Sequence, residues 1–138
     1  MKPYELIDHT ADIGIKVRGK TLEKLFNNAA VAMFDIMAKP FPLPAKAVVK
    51  RFRITVKAQD RTELLIRWLN ELLFLSETQK IIFSHLKFKK FSDTGLEAQA
   101  QGIARKHFAM QVEIKAVTYH ELMIEEKNGF EAQVIFDV

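Results

Sequence analysis

Residues 8–12, Asp8-His9-Thr10-Ala11-Asp12, place two carboxylates, an imidazole and a hydroxyl within five positions. Oxygen donors of this kind suit hard cations such as Ca2+ and Mg2+, which take several carboxylate and carbonyl ligands. A tight turn needs at most one Asp or Asn to bond its own backbone. The second acid is therefore either incidental, bonding turn amides, or part of a cation site. His9 has two readings as well, a ligand or proton shuttle on one side and a turn residue bonded to backbone on the other. Asp137, at the far end of the sequence, adds a third acid, and Val138 beside it would bring a terminal carboxylate.

The segments around these acids read as strands. Tyr4-Glu5-Leu6-Ile7 and Ile13-Gly14-Ile15-Lys16-Val17 are short and rich in large or β-branched residues, so the pentad is expected to be the loop between them. Ala132-Gln133-Val134-Ile135-Phe136 is another apolar run of strand type. Paired strands lie about 4.8 Å apart, so pairing of the first and last strands would bring Asp137 next to the pentad.

Between them, Arg18-Gly19-Lys20 is read as a turn and Thr21 as the N-cap of a helix to about Met37, with Leu22, Leu25, Phe26, Ala29, Ala30, Met33, Ile36 and Met37 as its apolar stripe. The methionines in it are core filler. Pro40, Pro42 and Pro44 end that helix in an extended connector. Residues 48–57 alternate, with Phe52, Ile54 and Val56 on one face and Arg51, Arg53, Thr55 and Lys57 on the other. Asp60 with Glu63 resembles a capping box for a second helix ending near Thr78, whose apolar face should lie on the same sheet as the first. From Ile81 onward the pattern predicts strands at 81–91, 96–103, about 108–119, 121–126 and 131–137, with Asn128-Gly129 marking a hairpin. The expected fold is a single α+β domain over residues 1–138, in two layers: a mostly antiparallel sheet with two amphipathic helices on one face.

Composition removes several function classes. The chain of 138 residues has no cysteine, so disulfide frameworks, thiol catalysis and cysteine-based zinc sites are out. His85, His107 and His120 fit no zinc spacing. No Gly-x-Ser-x-Gly elbow, Gly-x-Gly-x-x-Gly or Gly-Lys-Thr occurs, which argues against a serine hydrolase and an NTP-hydrolysing enzyme. No signal peptide or membrane-length apolar run is seen, and a cytoplasmic location is expected. The net charge of +4 is densest at Lys50-Arg51-Phe52-Arg53, Lys87-Phe88-Lys89-Lys90 and Arg105-Lys106-His107. Charges alternating with Phe describe a strand with one solvated face, or a weak site for an anionic partner such as RNA.

The chain resembles the archease family. The resemblance is carried by Asp8-His9-Thr10-Ala11-Asp12-Ile13, by Thr21-Leu22-Glu23 with Leu25-Phe26-Asn27-Asn28-Ala29-Ala30 and Met33-Phe34, by Trp68-Leu69-Asn70-Glu71-Leu72-Leu73, by Glu113-Ile114-Lys115-Ala116-Val117-Thr118-Tyr119-His120, and by Val134-Ile135-Phe136-Asp137-Val138. It implies a non-enzymatic accessory protein of an RtcB-type RNA-splicing ligase, which joins 2′,3′-cyclic phosphate and 5′-hydroxyl RNA ends using GTP and Mn2+. Such a protein promotes guanylylation of the ligase histidine and meets RNA through the ligase. The resemblance also implies divalent-metal ligands at Asp12, Asp137 and Val138, for Ca2+, Mg2+ or Mn2+, while Asp8 and His9 match the motif without being assigned as ligands. Two departures stand out: Gly102-Ile103-Ala104-Arg105-Lys106-His107 lacks the family's Gly-Glu pair and is shorter, and the chain is basic where many members are acidic. Rival readings are a chaperone-like binder of an RNA-modifying enzyme and a metal-dependent phosphoesterase.

Overall fold

The computed structural model describes residues 3–7, 12–42, 47–119 and 122–138. Strands β1 (Tyr4–Ile7) and β2 (Ile13–Gly19) pair antiparallel and lead into helix α1 (Leu22–Met37). Thr21 is the N-cap, its hydroxyl accepting from the Lys24 amide at 3.1 Å. The expected turn at Arg18-Gly19-Lys20 is shorter than read, because β2 runs on to Gly19 opposite Phe130. A Cβ at Gly19 would overlap the backbone of Lys24 and Leu25, so glycine is what lets α1 start this close to the strand.

Strands β3 (Ala38–Pro40) and β4 (Val49–Lys57) follow, then helix α2 (Arg61–Gln79). Asp60 caps α2 by accepting from the Glu63 amide at 2.8 Å, and the Glu63 carboxylate returns to the Gln59 amide at 3.3 Å, one residue earlier than in the standard box. The basic Arg105-Lys106-His107 segment forms a 3-10 turn against the other end of this helix. Arg105 donates from Nη2 to the Ser76 carbonyl at 3.2 Å and pairs with Glu77 at 3.4 Å, placing a cation where the helix dipole is negative.

The remaining strands are β5 (Ile81–Phe91), β6 (Gly95–Ala104), β7 (Phe108–Met110), β8 (Ala116–Thr118), β9 (Ile124–Glu126) and β10 (Phe130–Asp137). Asn128 and Gly129 both adopt positive φ in the β9–β10 hairpin, as the Asn-Gly pair predicts. The expected continuous strand over 108–119 is broken. β7 pairs with β3, the Gln111 amide donates to the Met37 carbonyl at 2.8 Å, and only from Ala116 does the chain join β10. One stretch serving two partners in different places cannot stay one regular strand.

The fold is α+β with antiparallel pairing throughout the described residues. β1-β2-β10-β8 form one sheet with β9 also on β10, β4-β6-β5 form a second, and β3-β7 form a small third. The strand layer is therefore divided where the sequence suggested a single sheet. Both helices turn their apolar stripes to the core-facing side of this layer, α1 against β2, β10 and β5, and α2 against β4, β5 and β8. Ile15, Val17, Phe26, Met33, Ile54, Trp68, Leu72, Ala98, Val134 and Phe136 are among the buried residues of one contiguous core. Among the described residues no helix is long and apolar enough to cross a membrane.

Candidate metal-binding site

The last strand pairs with the second, β2, which lies between it and the first. β10 runs antiparallel to β2 from Phe130 opposite Gly19 to Phe136 opposite Ile13. Continued one residue past that last pair, the same register would set Asp137 against Asp12. Residues directly opposed on antiparallel strands project from the same face, with Cβ atoms about 4.5–5.5 Å apart. Phe136 is fully buried on the core side, so Asp137, the next residue, faces outward and is exposed.

The outward rows of β2 and β10 confirm this parity. Arg18 donates from Nε to the Glu131 carboxylate at 3.0 Å, and Lys16 reaches the same carboxylate at 3.7 Å. Two positions further toward the acids, Gly14 sits opposite Ile135. A Cβ on Gly14 would lie 2.5 Å from Ile7 Cγ1 and 3.0 Å from Ile135 Cδ1, so the glycine makes room for these two side chains over the sheet. The row thus passes from cation–anion pairs through an apolar step toward Asp12 and Asp137.

On its other flank β10 is held by β8, with Ala116 opposite Asp137 and the Lys115 amide donating to the Asp137 carbonyl at 2.7 Å. β8 is held in turn by Asn70 of α2. The Asn70 carboxamide accepts from the Val117 amide at 2.9 Å and donates to the Val117 carbonyl at 3.2 Å, satisfying both groups on the edge of β8 that faces away from β10. The sequence reading missed this residue; its signal was a carboxamide beside the apolar stripe Leu69-Leu72-Leu73. Asn70→Ala should cost about 2 kcal/mol in urea unfolding, since it strips partners from two polar groups of a residue only 4% exposed. Asn70→Asp keeps the acceptor alone and should lose less; an unchanged midpoint in Asn70→Ala would show the clamp to be incidental.

Asp12 also lines a hollow of about 530 Å3 at the end of the sheet, together with Tyr4, Leu6, Asp35 and Gln111. Tyr4 donates its hydroxyl to Asp35 at 3.5 Å. Burial first, and then the Asp35 carboxylate, push its phenol above the usual tyrosine range.

The structure therefore brings together two of the expected ligands, Asp12 and Asp137, with exposed Val138 next in the chain. Asp8 and His9, like His120, lie outside the described residues. Among the described residues no three His, Asp or Glu side chains form a metal-holding group; His85 lies on strand β5 and His107 in the 3-10 turn. Opposed carboxylates repel, and a like-charged pair directly across two strands is destabilising unless a cation lies between. Hard oxygen donors of this kind suit a Ca2+, Mg2+ or Mn2+ ion, whose remaining ligands would be backbone oxygens and water.

Comparison with known proteins identifies the family. Residues 4–138 match the model of the Archease protein family (MTH1598/TM1083). The protein archease of Methanothermobacter thermautotrophicus is 38% identical over 144 residues, covering the whole of both chains. The solution structure of Methanobacterium thermoautotrophicum protein 1598 superposes with a TM-score of 0.74 at 36% identity, again over both whole chains. The crystal structure of an archease from Thermotoga maritima, described as a possible chaperone, has the same fold, with a TM-score of 0.69 at 20% identity over 97% of this chain and 96% of that one.

Proposed function

The chain belongs to the archease family, and from that membership we propose that it is a non-enzymatic, divalent-metal-binding accessory protein that activates an RtcB-type RNA ligase in the cytoplasm. The observation that supports this reading is the β2–β10 register, which ends at Phe136 opposite Ile13 and leaves Asp12 and exposed Asp137 as the next residues along the two strands. Asp12 and Asp137 would hold the ion through their carboxylates and Val138 through an oxygen, with Ca2+, Mg2+ or Mn2+ as the ion. When bound, a divalent cation neutralises phosphate charge and helps orient groups for in-line transfer.

This chain's own residues supply position. The Asn70 clamp and the Lys115 amide hold the β10 end from one flank, and β2 holds it from the other. Because that end is an open tip of the sheet, it can enter a cleft in a partner enzyme without rearranging the core. The absence of a nucleotide loop or an activated serine elbow from the sequence supports an accessory role over an NTP-hydrolysing or serine enzyme.

A test is guanylylation of purified ligase by GTP and Mn2+ with substoichiometric amounts of this protein. Acceleration with multiple turnovers is expected, and the protein by itself should neither join RNA ends nor hydrolyse GTP. No stimulation, combined with suppression of a partner's aggregation, would favour the chaperone-like reading prompted by the Thermotoga maritima relative's description. Metal-dependent hydrolysis by the protein alone, lost in Asp12→Ala, would favour the phosphoesterase.

A further inference from the structure

Strands β4, β5 and β6 hold seven of the chain's 21 lysines and arginines but only one of its 17 acids, Glu97. This sheet is thus +6, and the rest of the +4 chain is −2. The basicity of the protein is located in one three-stranded sheet. Register then assembles two sequence clusters that lie more than thirty residues apart. Arg51, Gln101 and His85 form one cross-strand row, Arg53, Gln99 and Lys87 the next, and Thr55, Glu97 and Lys90 the third.

All three rows project to solvent, because Phe52, Ile54, Val56, Ala98, Ala100 and Phe88 occupy the opposite face in or against the core. Register shifts in β5 between Phe83 and His85 and between Phe88 and Lys90 each add an outward residue, so that Lys89 and Lys90 are both exposed. The result is a trough of about 490 Å3 with Arg51 and Arg53 along one wall, His85 and Lys87 along the other, and Gln99 and Gln101 as its floor. Glu97 pairs with Arg53 at 3.4 Å. No carboxylate among the described residues pairs with Arg51, Lys87, Lys89 or Lys90. A merely solvated strand face mixes both signs evenly; in these rows Glu97 is the one acid, against Arg51, Arg53, Lys87 and Lys90.

We propose that this sheet face binds the sugar–phosphate backbone of an A-form RNA duplex directly, whether or not a ligase is present. Cations repeat about every 6.8 Å along the strands and from strand to strand about 4.8 Å apart, which suits a polyanion with charges in regular series. Guanidinium forks and ammonium groups take phosphate oxygens, and the Gln99 and Gln101 carboxamides can both donate to and accept from 2′-hydroxyls. Phe52, Phe83, Phe88 and Phe91 all turn toward the core, so the face has no aromatic platform on which unpaired bases could stack. A flat, donor-rich face matches the wide, shallow minor groove of A-form RNA.

Fluorescence anisotropy with a labelled RNA duplex of about 16 base pairs tests this. With about five phosphate contacts, affinity should fall roughly several hundredfold between about 50 and 200 mM salt. The variant R51Q/K87Q/K90Q should bind more weakly, by at least tenfold at about 100 mM salt, with the loss across that range reduced to roughly tenfold. K87Q alone should lower the log–log salt slope by about 1. K20Q/K24Q/K106Q removes the same charge elsewhere and should match the unaltered protein. Equal weakening in that control would mean that net charge alone binds RNA and would overturn the proposal. So would tighter binding of the single strand, of the matching DNA duplex or of phosphatidylserine vesicles, or binding without salt dependence.

Discussion

Asp137→Ala is expected to abolish stimulation of ligase guanylylation while leaving the fold intact, and Asp12→Ala to do the same. Two unit charges about 4 Å apart repel by about 1 kcal/mol in bulk water and about 4 kcal/mol at an effective dielectric of 20. Removing either acid relieves that repulsion, and Asp137 is exposed on the outward side of β10, so the ion-free protein should melt at the same temperature or slightly higher. The loss should appear only with metal. For the unaltered protein, a free ion concentration of 100 times Kd adds about 2.7 kcal/mol to stability; in either variant that gain should vanish. Asp137→Asn keeps the shape and removes the charge, and should behave like the alanine. Normal activation by both alanine variants would sink the metal-tip mechanism. Lost metal stabilisation with normal activation would sever metal binding from function.

Trp68→Ala should be the most damaging core substitution for stability. Trp68 is fully buried, stacks obliquely on Phe88 with centroids 5.1 Å apart, and donates its indole N–H to the Phe26 carbonyl at 3.2 Å, tying α2 to α1. Large-to-small changes of this kind cost about 3–5 kcal/mol, set against a typical total of about 5–15. The melting temperature should drop by roughly 10–20 °C. Trp68→Phe retains most of the volume and leaves the Phe26 carbonyl without this donor, so it should lose less than half as much. If the alanine variant unfolds within 1 kcal/mol of the unaltered protein, about the cost of a single hydrogen bond, the two helices are not joined through this residue.

How much of this was legible before the structure depended on whether the signal was local. The two helices were, because the stripe from Leu22 to Met37 and that from Leu64 to Leu73 repeat within the helix's own period, and Thr21 and Asp60 cap by bonding amides three residues away. Strand β4 was legible for the same reason, its alternation of Phe52, Ile54 and Val56 with charged neighbours being complete in itself. The archease resemblance, with its DHTAD and Phe-Asp-Val blocks, was likewise a property of the linear text.

Partnership was not legible. Periodicity says that a strand has a wet face and a dry face, but not which strand lies beside it, since pairing is decided by contacts between residues far apart in the chain. The 108–119 stretch looked uniform, yet Met37 and Asp137 draw its two ends to different places and it breaks between them. Asn70 looked like one polar residue in an amphipathic helix until Val117 was found against it. The Arg51 and Lys87 clusters each read as an ordinary solvated strand, and only the β4-β6-β5 register makes them one surface. The acids at both ends of the sequence named the chemistry of the candidate site. That Asp12 and Asp137 come next to one another in space, each one residue past the Ile13–Phe136 pair, was decided by the register of β10 on β2, a tertiary fact fixed by packing Val134 and Phe136 into the core.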